Sequence, residues 1–198
     1  MKKVAFVALV FLSLAFTLKL KYKKVDLNGR VKIPVPETLT RLTNEQAVQR
    51  YGFLHLPLAI FTDRSSFVSL SVTERIDSLS QYGGIDYASV DVSMQFQRDI
   101  NVEKSFYKST LSSTYESIDF LQDTIKEVNG EQAIIFEYVG DLKGENSRGQ
   151  RMNSKNYGYI QYYILPYRRY TISFNAPFRE KDKWQEVATH IMEEVKIK

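Results

Sequence analysis

Few residues in this chain could carry proton or metal chemistry, and they are poorly spaced for it. There are two histidines, His55 and His190, and no cysteine. Cysteine nucleophiles, disulfides, thiolate metal sites, a lipidated N-terminal cysteine and a multi-histidine metal centre are therefore excluded. No metal and no cofactor is expected. His55 lies in Phe53-Leu54-His55-Leu56-Pro57, where apolar neighbours suit a hydrogen-bonded structural histidine. His190 falls off the apolar stripe of a C-terminal helix and is expected in solvent. Asp86 with Asp91, or Glu193 with Glu194, are nominal carboxylate pairs. Acid–base work needs carboxyls facing each other across a cleft, which turn and helix-surface positions do not provide. Gly140, Gly144 and Gly149 are not followed by the Lys-Ser or Lys-Thr that completes a phosphate-cradling loop. Gly-x-Ser-x-Gly, His-Glu-x-x-His and EF-hand patterns are absent.

The 13 tyrosines are more informative. If Pro166-Tyr167 is a two-residue turn, Leu165 pairs with Arg168, Tyr163 with Tyr170, Gln161 with Ile172 and Tyr159 with Phe174 on one face. That face is apolar enough to receive a helix. The opposite face carries Ile160, Tyr162 and Ile164 beside Arg169, Thr171, Ser173 and Asn175. An aromatic and a cation flanked by hydroxyl and amide groups is a surface suited to a partner or a sugar. Tyr162, Arg169, Thr171, Ser173 and Asn175 are the candidate contact residues, against the reading of a solvated face or one covered by a long helix.

These positions need a sheet to hold them. A short strand over 31–36, with its prolines, is expected at an edge. Asn28-Gly29 marks a turn, and Thr43 or Asn44 caps a brief helix to Tyr51 that Gly52 closes. Strands follow over 58–62 and 67–76. In the second, Val68, Leu70, Val72 and Ile76 point one way and Ser69, Ser71, Thr73 and Arg75 the other. Residues 90–96 alternate as a strand would, yet Val92, Phe96, Ile100, Glu103, Phe106, Tyr107 and Leu111 recur at helical spacing. The intervening Gln, Arg, Glu and Lys favour a helix over about 90–115, broken near 99–101.

Asn129-Gly130 between runs over 120–128 and 132–139 is a strong hairpin signal. A polar connection over 140–156 leads to the hairpin described above. Trp184, Val187, Ala188, Ile191, Met192 and Val195 form one stripe of a last helix, with Asp182 and Gln185 placed as a capping box. Lys196 and Lys198 sit at its end, complementing the helix dipole. The sum is an α+β domain, a mainly antiparallel sheet of about six or seven strands with helices packed on it.

The N-terminus addresses the compartment. Met1-Lys2-Lys3 precedes an uncharged apolar run of 15 residues over 4–18, the pattern of a secretory leader over 1–17. The run falls short of the ~20 residues that span a bilayer, which favours cleavage. Lys19, Lys21, Lys23 and Lys24 follow it and resist translocation, so an anchor retained through 4–18 is the alternative. Residues 18–30 read as a basic linker and 31–198 as a single domain. The whole chain carries 27 basic and 23 acidic residues for a net charge of +4, and loss of Lys2 and Lys3 with the leader halves this excess. Charge of that size does not point to nucleic acid.

The sequence resembles the PsbP-like fold family, which includes small exported bacterial proteins of DcrB type. Three stretches carry the resemblance: Ile33-Pro34-Val35-Pro36, Val128-Asn129-Gly130-Glu131-Gln132-Ala133, and the ending from Tyr162-Tyr163-Ile164-Leu165 through Tyr170-Thr171-Ile172-Ser173-Phe174-Asn175-Ala176-Pro177 to Trp184, Ile191 and Val195. It implies an α-β-α sandwich and a non-catalytic accessory or binding role, and no functional residues of the family carry over. The expected protein is a monomer, periplasmic or secreted, contacting an envelope protein or small ligand through the mixed sheet face. The membrane is involved only if residues 4–18 are retained. The alternative is an envelope hydrolase whose site is assembled from dispersed carboxylates and hydroxyls.

Overall fold

The computed structural model describes residues 20–51, 56–63, 67–76, 99–142, 154–165 and 168–198. The apolar run 4–18, Gly52, His55, Asp86, Asp91, the first part of the expected long helix, the middle of the polar connection and Pro166-Tyr167 lie outside these. Among the described residues the order is β1 (Tyr22–Leu27), β2 (Val31–Pro36), β3 (Thr40–Arg41), α1 (Asn44–Tyr51), β4 (Ala59–Asp63), β5 (Val68–Ile76), α2 (Ile100–Thr114), β6 (Tyr115–Val128), β7 (Glu131–Leu142), β8 (Ser154–Leu165), β9 (Arg168–Pro177), a 3-10 turn (Phe178–Glu180), α3 (Lys181–Glu193) and β10 (Lys196–Ile197).

The main sheet is antiparallel, with seven strands in the order β3-β4-β5-β9-β8-β7-β6, and a smaller sheet runs β1-β2-β10. The α+β expectation holds. One face of the main sheet, with Ile135, Tyr163, Tyr170, Ile172, Phe174, Leu70 and Val72, shares a core with the Trp184-to-Val195 stripe and with Leu27, Val31, Ile33 and Val35 of the small sheet. The other face meets α2, where Leu111 and Tyr115 join Ile134, Phe136, Tyr138, Ile160 and Tyr162.

Local chemistry sets the boundaries. Thr43 Oγ1 accepts from Gln46 N at 3.2 Å and Gln46 Oε1 accepts from Thr43 N at 3.0 Å, a reciprocal cap at the start of α1. Asn129 and Gly130 take φ of 51° and 94°, the mirror-image turn that suits a twisted hairpin. Asn129 Nδ2 also donates to Glu193 O at 2.9 Å and Val195 O at 2.7 Å, so this turn caps the C-terminal end of α3. Glu74 Oε1 accepts from Arg30 at 3.0 Å, Arg168 at 2.6 Å and the Tyr170 hydroxyl at 3.0 Å, tying the β1–β2 turn to the main sheet.

Several boundaries correct the sequence reading. Much of the expected linker is strand β1, because Val25 and Leu27 alternate inward between exposed lysines and an aspartate. Strand β2 is central in its sheet rather than at an edge. Its prolines are tolerated because β10 pairs only with Val31 and Lys32, leaving Pro34 and Pro36 unpaired on that side. Asp182 lies inside the first turn of α3 and caps nothing, since a 3-10 turn starts the helix earlier. Lys196 begins strand β10 and Lys198 directly follows it, so neither ends the helix. The hairpin arms β7 and β8 run to Leu142 and from Ser154, well into the stretch expected as a loop.

Two glycines let rings cross the sheet. Tyr138 pairs with Gly158, and a Cβ on Gly158 would stand 2.3 Å from Tyr138 Cζ. Gly140 is covered in the same way by Tyr115, at 2.5 Å from Cδ1, and the two tyrosine hydroxyls meet at 3.0 Å. Gly158→Ala must displace a buried ring, and we predict a loss of about 1–3 kcal/mol in urea unfolding. An unchanged midpoint would show that the ring is not fixed there.

Candidate functional site

The register that forms the core also determines what faces the other way. Strand β9 pairs with β8 through Tyr159↔Phe174, Gln161↔Ile172 and Tyr163↔Tyr170, as the two-residue turn requires. On its far side β9 pairs with β5: Ser69↔Asn175, Ser71↔Ser173 and Thr73↔Thr171. The row continues to Thr62 of β4, which pairs with Ser69. Seven small hydroxyl or amide side chains therefore share one face across three adjacent strands. Six of them are half-buried, and Thr62 is buried. Asn175 Nδ2 donates to Ser173 Oγ at 2.9 Å. Thr62 Oγ1 is buried and has no hydrogen-bond partner among the described residues.

The five residues singled out from sequence divide into two groups. Thr171, Ser173 and Asn175 stand on this hydroxyl ladder. Tyr162 and Arg169 lie beneath α2 and support it. The Tyr162 ring is 8% exposed and stacks on Tyr107 with centroids 3.9 Å apart and planes 13° from parallel. Arg169 donates to the Tyr107 hydroxyl at 3.1 Å and to Glu103 Oε2 at 3.4 Å. Tyr162 is thus removed from the expected contact surface by α2, and its hydroxyl pKa is raised by burial and then by the neighbouring Tyr107 and Tyr115.

Helix α2 sits on the sheet through a mixed seam. Asp99 caps it, its side chain accepting from Asn101 N at 2.8 Å. Ile100, Glu103, Lys104, Tyr107, Lys108 and Leu111 turn inward, while Phe106, expected on that face, is 60% exposed. Lys104 and Lys108 both reach the Asp123 carboxylate of β6, at 2.8 and 2.5 Å. Burial works against the charge on Asp123, and the two ammonium groups outweigh it, holding the carboxyl below its ordinary range.

Sequence reasoning missed the β5 half of the ladder. Its signal was the alternation of Ser69, Ser71 and Thr73 with Val68, Leu70 and Val72, but the adjacency of β5 and β9 is a long-range fact. At the Asn175 end, Phe67 precedes β5, 68% exposed and held at φ 58°. A bulky residue adopts that left-handed conformation at a cost of about 1–3 kcal/mol. Acid–base candidates are not brought together among the described residues. His190 packs edge-on to Tyr22 at 4.5 Å, Glu193 reaches Lys126 at 3.8 Å, and no group of three or more His, Asp or Glu is placed to hold a metal.

No family model matches the chain, and no curated protein matches it in sequence. Solved structures do. The cyanobacterial PsbP protein CyanoP from Synechocystis sp. PCC 6803 aligns with a TM-score of 0.50 and 12% identity over 89% of this chain and 92% of that one. The chain has a PsbP-like fold. LpqN of Mycobacterium tuberculosis, involved in cell envelope biogenesis, aligns at a TM-score of 0.49 and 12% identity, covering 90% of this chain and 91% of its own. The Ran-binding protein Mog1p of Saccharomyces cerevisiae gives 0.45 and 14%, covering 90% and 96%. The first of these alignments carries the fold, and identities this low transfer no activity. The likeness to DcrB-type proteins rests on the sequence stretches alone.

On this PsbP-like fold the cover over Tyr162 is held in part by the Lys104–Asp123–Lys108 contact, which keeps the Asp123 carboxyl below its ordinary range. A group depressed in the folded state contributes stability above its unfolded value, and the contribution is lost as pH falls through the folded value. Amide protection in α2 should therefore drop below the usual aspartate range while α3 stays protected. The drop should be smaller in Asp123→Asn, whose α2 is already less protected at neutral pH. Hydrogen exchange showing the same acid step in both proteins would remove Asp123 from this role.

Proposed function

We propose that the protein is an exported, non-catalytic accessory or binding protein of the cell envelope. It engages its partner or ligand through the hydroxyl ladder of β5 and β9. The supporting observation is the ladder itself, with Ser69, Ser71 and Thr73 facing Asn175, Ser173 and Thr171 across central strands. Interior positions on a sheet covered by helices are ordinarily apolar. Here one region of the second face stays polar, uncharged and part-exposed, beside a face that buries its aromatics completely.

Short hydroxyl and amide groups on paired strands lose little entropy when they form hydrogen bonds, and they both donate and accept. Such a surface suits a neutral hydrogen-bonding ligand or a polar protein segment, with Phe67 offering an aromatic contact at one end. The apolar run over 4–18 supports export. No helix among the described residues is long and apolar enough to cross a membrane. Tyr162 and Arg169 act in this reading by holding α2 beside the ladder.

The test is capture from the native envelope with the full chain against Ser71→Arg/Ser173→Glu, which places two bulky side chains of opposite charge at a directly paired position of the ladder. We expect recovery of the bound partner to fall by about tenfold or more, with the thermal midpoint nearly unchanged. Undiminished recovery by a folded double variant would rule the ladder out as the contact surface.

A further inference from the structure

We infer that the outer face of the small sheet is an electrostatic docking surface for an anionic phospholipid bilayer. Strand register places Lys24, Asp26, Lys32, Lys196 and Lys198 on one face: Asp26 pairs with Lys32, Lys32 pairs with Lys196, and Lys24 and Lys198 lie two residues along their strands. With Glu194 they line a depression of about 410 Å³, and all six are exposed. Four ammonium groups against two side-chain carboxylates leave these side chains with a net positive charge.

Folding does not explain this cluster. Lys32 stands directly opposite Lys196, and like charges in that position destabilise a strand pair. Asp26 relieves Lys32 alone, at 3.4 Å. Lys24, Lys196 and Lys198 have no ion-pair partner among the described residues. The three come from both ends of the chain, so one lysine-rich segment does not account for their convergence.

Two observations select a membrane as the occupant. The charge is complementary to an anionic lipid surface, which attracts each nearby lysine and loses its hold within a Debye length of ~10 Å. In addition, the apolar run ends at Leu18, six residues before Lys24. Where the run is retained as an anchor, the alternative to its cleavage as a leader, it keeps the lysine face within about 20 Å of the bilayer surface, because an extended residue spans at most about 3.5 Å. The surface lies on β1, β2 and β10, apart from the hydroxyl ladder, and does not depend on what the ladder binds.

The experiment is co-sedimentation of the full chain with vesicles of phosphatidylcholine alone and with about one-third phosphatidylglycerol. The readout is the ratio of the two affinities, which cancels insertion of the apolar run itself. We expect a preference of about tenfold or more for the anionic vesicles at low salt, fading at molar salt. Lys24→Gln/Lys196→Gln/Lys198→Gln should lose most of that preference, and Lys21→Gln/Lys23→Gln should keep most of it. A preference retained by the triple variant, or lost equally in the two variants, would overturn the inference. So would the absence of a salt effect in the unaltered chain, a measurement that does not depend on any variant folding. Binding of inorganic phosphate without a preference for anionic vesicles would assign the depression to a free anion instead.

Discussion

The structure depends first on the register of β9 between β5 and β8. Tyr170, Ile172, Phe174 and Ala176 are buried on one side of that strand, while Arg169, Thr171, Ser173 and Asn175 occupy the other. A slip of one residue would exchange the two sets. Each large apolar side chain turned into water would cost about 1.5–3 kcal/mol, so three of them fix the register beyond competition from neighbouring alignments. The same constraint that builds the core beneath α3 therefore aligns three rows of hydroxyl and amide groups with those of β5.

The two long helices are held by different physics. Helix α3 lays a continuous apolar stripe on the opposite face, where its Gln185 also donates to the buried Glu137 carboxylate at 2.7 Å, and it is locked at its end by Asn129. Helix α2 rests on a seam of one tyrosine stack, one arginine shared by Glu103 and Tyr107, and one aspartate between two lysines. Partly exposed ion pairs contribute little individually. Helix α2 is thus expected at the lower end of local stability in this domain, and with Tyr162 and Arg169 beneath it, it sets one border of the ladder. Tyr138 over Gly158 and Tyr115 over Gly140 place two rings in the cluster that Leu111, near the end of α2, joins.

Much of the fold is legible in the sequence because it is local. The Asn129-Gly130 turn, the Thr43–Gln46 cap, the i, i+3, i+4 stripe of α3 and the period-two alternation of β5 and β9 are each set within a dozen residues. What escapes is long-range or masked by composition. Strand β1 is concealed by its lysines, which occupy the exposed positions of a two-faced strand. Strand β10 has only two residues, and the pairing of β5 with β9 spans about a hundred residues of chain. That pairing supplied half of the candidate site. The position of α2 moved Tyr162 from contact residue to support, since an aromatic on a sheet face reads alike whether a helix or a partner covers it.

A chain without cysteine permits a direct test of this divided face. Single variants Ser71→Cys, Ser173→Cys and Ile134→Cys place a thiol on the open ladder or beneath α2, and the rate of labelling by a small thiol reagent reports access at each. The two ladder thiols should react at least about tenfold faster than the thiol at 134, whose labelling must await local opening. Equal protection at all three positions would show that the ladder is covered in the free protein and would contradict its assignment as a binding surface.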